Sequence, residues 1–129
     1  MKIIKKEQDI SFETAKLLKL KGIKPTSKCY DATGRELTIS LTARKILGWD
    51  KEYFPRVTQT QLKQFLGDEN ILIEIQIDRT TYPKYCYQIY QYEQYGNYTE
   101  IIISEFYLYR TYEQALEDAF INALNSYHE

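Results

Sequence analysis

The chain has 129 residues, 43% of them hydrophobic and 27% charged, the size and balance of one globular domain, which excludes disordered and fibrous classes. A formal net charge of -1 and a pI near 5.9 exclude the strongly basic balance of a dedicated nucleic-acid binder. No aliphatic run exceeds three residues, as in Ile101 to Ile103, against the roughly 20 that a membrane helix needs.

In chain order, the opening MKIIKKEQDISFE has only a two-residue apolar stretch before more charge, too little for the apolar core of an export signal, so a cytoplasmic location is expected. The first helix is predicted from about Phe12 to Lys21. The Ser11 hydroxyl can cap its first turn, Ile10 and Ala15 stand at staple spacing, and Gly22 followed by Ile23 fits a Schellman stop against Leu18. Phe12, Ala15 and Leu18 form its apolar stripe and lysines occupy the other side. Lys28 to Ser40 reads as a short hairpin, because Asp31-Ala32-Thr33-Gly34 places Asp first and Gly last as in a type I turn. Between Leu41 and Phe54 the pattern supports only a short helix at Thr42–Leu47, with Trp49, Tyr53 and Phe54 covering a core edge; Pro55 biases Phe54 away from the helical region.

The second half is sharper. Thr58 can cap a helix running to about Leu66, with Gly67 as terminator. Every second residue of Ile71 to Asp78 is isoleucine, the period of a half-buried strand. A turn through Pro83 leads to a β-rich run from Tyr85 to Tyr92, and a turn at Tyr95-Gly96-Asn97 leads to a third strand from Thr99 toward Leu108, ending or bending near Ser104-Glu105. Thr111 and Gln114 at capping-box spacing open a helix from Tyr112 to about Tyr127, whose Ala115, Leu116, Ala119, Phe120, Ala123 and Leu124 recur with helical period. The expected architecture is one α+β domain over residues 1–129. It has an antiparallel three-stranded sheet with a packed C-terminal helix, in α-β-β-β-α order from about residue 58, preceded by a helix and a short hairpin.

Catalytic chemistry finds little support. All five glycines are taken by predicted helix ends and turns, so no phosphate-cradling loop can be drawn. The single histidine, His128, is penultimate, where chains fray, and cannot anchor a nucleophile pair. Cys29 and Cys86 are far apart and, with one terminal histidine, cannot assemble a zinc site; both are expected to be reduced. Glu74 with Asp78, Glu113 with Glu117, and Asp68 with Glu69 read as ordinary surface carboxylates. No enzyme, cofactor or metal is expected.

Ten of the thirteen tyrosines fall between Tyr82 and Tyr112, a local concentration and not general aromatic richness. In the middle strand Tyr85, Tyr87 and Ile89 point one way and Cys86, Gln88, Tyr90 and Tyr92 the other, so tyrosine occupies both sides of the sheet. Tyrosine is a good strand former, and it also supplies rigid contact area at low entropic cost. Tyr90, Tyr92, Tyr95, Tyr98 and Tyr107 are therefore candidate contacts for a protein partner or a second copy of the chain. A rival reading uses charge: residues 1–28 hold eight lysines against three carboxylates, and Lys16, Lys19 and Lys24 could meet the phosphates of a nucleic acid.

Through SFETAKLLKLKG (residues 11–22), TQLKQFL (60–66) and TYEQALE (111–117), the chain resembles a group of small uncharacterised proteins carried by bacterial prophages and related mobile elements, chiefly of gut Bacteroidetes. That resemblance implies a cytoplasmic phage-type accessory protein and carries no activity. The order from Thr58 to Tyr127 is also similar to double-stranded RNA-binding domains. Those place lysines at the start of the last helix, whereas this helix opens with Glu113, Glu117 and Asp118, which would repel phosphate. A winged helix-turn-helix fits less well, because the helices at Thr42–Leu47 and Gln59–Leu66 stand too far apart for its ~3–4-residue turn.

Overall fold

The structure, a computed structural model, describes residues 7–40, 42, 53–78, 84–92, 98–103 and 108–126, with the backbone alone at residues 78 and 98–103. The chain is an α+β protein whose residues fall into two compact units, Met1–Thr58 and Gln59–Glu129. Among the described residues no helix is long and apolar enough to cross a membrane. Residues 43–47 of the short helix expected at Thr42–Leu47, Trp49, the turns at Pro83 and at Tyr95-Gly96-Asn97, and His128 lie outside the described residues.

The first unit places helix α1 (Phe12–Leu20) against a sheet of β1 (Lys28–Tyr30), β2 (Glu36–Thr38) and β3 (Phe54–Pro55), in the order β2-β1-β3. Both ends of α1 follow from local chemistry. The Thr14 N–H donates to Ser11 Oγ at 3.2 Å, and the Ile23 N–H donates to the Leu18 carbonyl at 3.1 Å beyond Gly22, whose φ is +88°. Ile10, Thr14, Ala15, Leu18, Cys29 and Tyr30 are buried, and the Tyr30 hydroxyl donates to the Ile10 carbonyl, so its ring packs without leaving a polar atom unsatisfied. The sequence reading did not name β3: Phe54, which Pro55 biases away from the helical region, pairs with Tyr30, and Pro55 pairs with Cys29, as a strand. Proline fits there because β3 is an edge and its missing N–H breaks no ladder. Arg56 follows and ties the unit together, donating to Asp9 at 2.9 Å, to the Leu37 carbonyl at 3.0 Å and to the Cys29 carbonyl at 3.3 Å.

In the hairpin turn Asp31 Oδ1 accepts from the Thr33 hydroxyl at 2.6 Å, the Arg35 N–H at 3.0 Å and the Thr33 N–H at 2.8 Å, which holds its carboxyl below the ordinary aspartate range. Its contribution to the turn is therefore present above the unfolded pKa and fades as pH falls through the folded one. Gly34 has φ +86°, and a Cβ built there would lie 3.0 Å from Phe12 Cδ2. Gly34→Ala is expected to cost roughly 1–2 kcal/mol in chemical denaturation, because the left-handed conformation and the phenyl ring both oppose the methyl group.

The second unit runs α2 (Gln59–Asp68), β4 (Ile71–Asp78), β5 (Lys84–Tyr92), β6 (Tyr98–Ile103) and α3 (Tyr112–Ser126), with the antiparallel sheet ordered β4-β5-β6. This is the sheet and C-terminal helix that the isoleucine alternation and the terminal stripe predict. The end of α2 differs: Gly67 lies inside the helix, and Asn70, with φ +66°, takes the left-handed position. Asn70 is fixed there because its carbonyl accepts from the Tyr92 N–H at 2.8 Å, already in the β4–β5 register. Leu62 and Leu66 of α2, Ile71 and Ile73 of β4, Tyr87 and Ile89 of β5, and the six-residue stripe of α3 are all buried and form the core.

Candidate protein-interaction surface

Thr111 Oγ1 accepts from the Gln114 N–H at 3.1 Å and starts α3, which turns Ala115, Ala119 and Ala123 toward the sheet so that the axis can approach closely. On β5 the period of two sends Tyr85, Tyr87 and Ile89 to this helix side, opposite Ile77, Ile75 and Ile73 of β4. The Gln59 side-chain amide at the start of α2 donates to Glu117 Oε1 at 3.1 Å and to the Glu113 carbonyl at 3.4 Å, so both helices meet over the same face.

Under α3 lies a polar cluster. Asp118 Oδ2 accepts from the Tyr87 hydroxyl at 2.8 Å, from the Tyr109 hydroxyl at 2.5 Å and from Asn122 Nδ2 at 3.3 Å, and Asn122 Nδ2 also donates to the Tyr87 oxygen. The Tyr87 and Tyr109 rings stand 6.0 Å apart, and Tyr85 meets Tyr112 edge-on at 6.4 Å. Burial, then the carboxylate beside it, pushes the Tyr87 phenol well above the ordinary tyrosine range. A phenol held protonated in this way serves as a hydrogen-bond donor and not as a base, and Asp118 has its near lone pairs engaged by three donors. The cluster ties α3 to β5 and to the segment at Tyr109, which exchanges two backbone hydrogen bonds with Tyr85 at 2.8 and 2.7 Å. Sequence reasoning put Tyr87 and Tyr90 on opposite sides of the sheet without deciding which side meets the helix, and it did not find the cluster, because its members are up to 35 residues apart and only Asp118 and Asn122 share a readable helical spacing.

The opposite face of the sheet is built from Leu72, Glu74 and Gln76 of β4, paired with Tyr90, Gln88 and Cys86 of β5, and from Tyr92 beyond them. Glu74 and Gln76 are exposed, while Leu72, Cys86, Gln88, Tyr90 and Tyr92 are half-buried. Gln88 Oε1 accepts from the Tyr90 hydroxyl and from Gln76 Nε2, the latter at 3.3 Å, so the polar ends on this face are organised across the strands. A shift in the β5–β6 register between Ile89 and Tyr90 marks a local irregularity beside the two tyrosines. Of the five candidate tyrosines, Tyr90 and Tyr92 share this face. Tyr98 is placed by its backbone pairing to Tyr92, and Tyr95 and Tyr107 lie outside the described residues.

The candidate lysines belong to the first unit, where Lys19 is half-buried and Lys16 is exposed. Lys19 Nζ donates to the Tyr53 carbonyl at 2.9 Å and stands 4.6 Å from the Phe54 ring centroid; Lys16 Nζ stands 4.9 Å from that of Phe12. Lys24 is exposed. A groove of about 460 Å³ beside α1 is bordered by Glu7, Asp9 and Glu36, which gives it the wrong sign for phosphate. Among the described residues no group of three or more His, Cys, Asp or Glu side chains is placed to hold a metal ion, and both cysteines are free thiols, Cys29 buried and Cys86 half-buried. Family models, curated proteins and solved structures give no match to the chain.

Proposed function

We propose that the chain is a non-enzymatic interaction module, phage-type as its sequence resemblance implies, which binds a protein partner or a second copy of itself through the sheet face that carries Tyr90 and Tyr92. The observation that carries this reading is the one-sided layering of the second unit among its described residues. Both helices and the Tyr87–Asp118 cluster occupy one face of β4-β5-β6, and the other face presents half-buried aromatic and aliphatic side chains ringed by glutamine and glutamate. An apolar-aromatic centre within a polar surround is the composition of a protein contact, with tyrosine giving area at little entropic cost. Nucleic-acid binding is the weaker reading, because Lys16 and Lys19 stand over aromatic rings of their own unit and the groove beside α1 is bordered by carboxylates.

The test is a Tyr90→Ala, Tyr92→Ala double variant. It is expected to keep the circular dichroism of the parent and to lose association, measured by light scattering for self-association and by binding titration for a partner, with affinity falling at least about tenfold. Unchanged association would remove the face from consideration. Binding to duplex DNA or RNA that weakens steeply with salt, and is lost in Lys16→Glu, Lys24→Glu, would favour the phosphate reading instead.

A further inference from the structure

The positive half of the chain's charge and its most exposed leucine coincide on α1. Residues 1–28 hold eight lysines against three carboxylates, whereas the other 101 residues hold nine cations against fifteen carboxylates. Helix α1 turns Thr14, Ala15 and Leu18 inward and leaves Lys16 and Leu20 outward, four residues apart and so on one side of the helix. Leu20 is 81% exposed, more than any other large hydrophobic residue among those described, and Lys24, beyond the Gly22 turn, is exposed as well. A lone surface leucine is ordinary. A leucine at a helix end between two exposed lysines has the form of an apolar anchor with a cationic rim.

The sheet face that carries Tyr90 and Tyr92 has the opposite charge. Leu72 pairs with Tyr90 across β4 and β5, both half-buried, and Glu74, diagonal to Tyr90, is exposed. Glu100 is the register partner of Tyr90 on β6. The one described cation of this face on β4 and β5, Lys84, lies at the far end of β5 opposite position 78. Given that this face is the contact surface proposed above, on which the step rests, we propose that its occupant is the outward side of α1 of a second copy of the chain. Leu20 sits over Leu72 and Tyr90, and Lys16 pairs with Glu74.

The spacing of the two surfaces agrees. Lys16 and Leu20 are about 6 Å apart along the helix axis, and Glu74 is about 6.8 Å from Leu72 along β4. A helix laid along β4 with Leu20 on Leu72 therefore carries Lys16 to Glu74, while Glu13, a turn before Lys16, comes beside the neutral amide of Gln76. Lys16 Nζ stands over the Phe12 ring at the surface, where such a contact is weak enough to give way to a carboxylate. Because α1 and the sheet face are different surfaces, the contact is heterologous, and each copy offers one of each.

Complementation between variants of the full chain, followed by analytical ultracentrifugation, tests this. Lys16→Glu, Leu20→Gln changes only exposed side chains of α1, and Tyr90→Ala, Tyr92→Ala changes only the face. Each is expected to weaken self-association at least about tenfold, and the two together to bind one another at least about tenfold more tightly than either binds itself, since one keeps an intact face and the other an intact α1. Glu74→Lys, at an exposed position, is expected to weaken association about three- to tenfold and Lys16→Glu in the same chain to recover it; Glu74→Lys also replaces the tyrosine variant in the mixture if that variant fails to fold. A mixture no tighter than its separate components overturns the proposal. A parent that stays monomeric at about 1 mM does so too, while leaving the face to a different protein. Parental association in Lys16→Glu, Leu20→Gln that is lost in Tyr90→Ala, Tyr92→Ala refutes α1 as the occupant and keeps the face. Parental association in the tyrosine variant refutes both readings for the second copy.

Discussion

Phe120→Ala is expected to lower the unfolding free energy by about 3–5 kcal/mol, the largest single effect among the described residues. Phe120 has 0% exposure and is the largest fully buried side chain among the described residues, set one turn from Leu116 and Leu124, which are each 2% exposed. Removing the ring deletes its transfer free energy and leaves a cavity that the flanking leucines, already held by helix and sheet, cannot collapse to fill. Total stabilities of small domains are about 5–15 kcal/mol, so the variant should sit near its unfolding threshold. Phe120→Leu keeps most of the volume and should cost clearly less. Urea unfolding followed by far-ultraviolet circular dichroism measures both; equal losses would mean that cavity formation does not set the cost.

Asp118→Leu is expected to cost about 2–3 kcal/mol, since it strands the hydroxyls that now donate to the carboxylate. Tyr87 is only 2% exposed, so water cannot replace the lost acceptor there. The instructive measurement is the double-mutant cycle. Removing the Tyr87 hydroxyl as well, in Tyr87→Phe, Asp118→Leu, should restore part of the loss, because two apolar partners leave nothing unsatisfied. Strictly additive costs would show that the hydrogen bond carries no coupling energy. The same cluster sets an alkaline limit. Tyr87 holds its proton in the fold above the pH at which a free tyrosine, with a pKa of about 10, would lose it. Its contribution is therefore complete below that value and is lost as pH rises toward the folded pKa.

The legible parts of this chain are those that residues decide locally. Ser11 and Gly22 bound α1 because caps act within one turn, and the isoleucine alternation of β4 and the stripe of α3 follow from the periods of strand and helix. The division of Tyr87 from Tyr90 between two faces is legible for the same reason. Where a distant partner decides, the sequence misleads. Gly67 reads as a helix stop, yet the helix runs on to Asp68 and the Tyr92 N–H holds Asn70 in the left-handed turn. Pro55 biases Phe54 away from the helix, as observed, but only the pairing with Tyr30 and Cys29 makes the two residues a strand. Arg56, which joins Asp9, Cys29 and Leu37, and Asp118, which gathers two tyrosines and an asparagine, give no sequence signal at all, because their partners come from separate elements.

In the proposed function the two sides of the β4-β5-β6 sheet are unlike: Tyr87 is buried beneath α3, and Tyr90 and Tyr92 meet the partner. Hydroxyl-radical footprinting with mass spectrometry on the dissociated and associated protein reads this residue by residue. Tyr90 and Tyr92 should be modified in the dissociated chain and shielded on association, with Tyr87 unmodified in both. Oxidation of Tyr87 as readily as Tyr90, or no change at Tyr90 and Tyr92 when the protein associates, would contradict it.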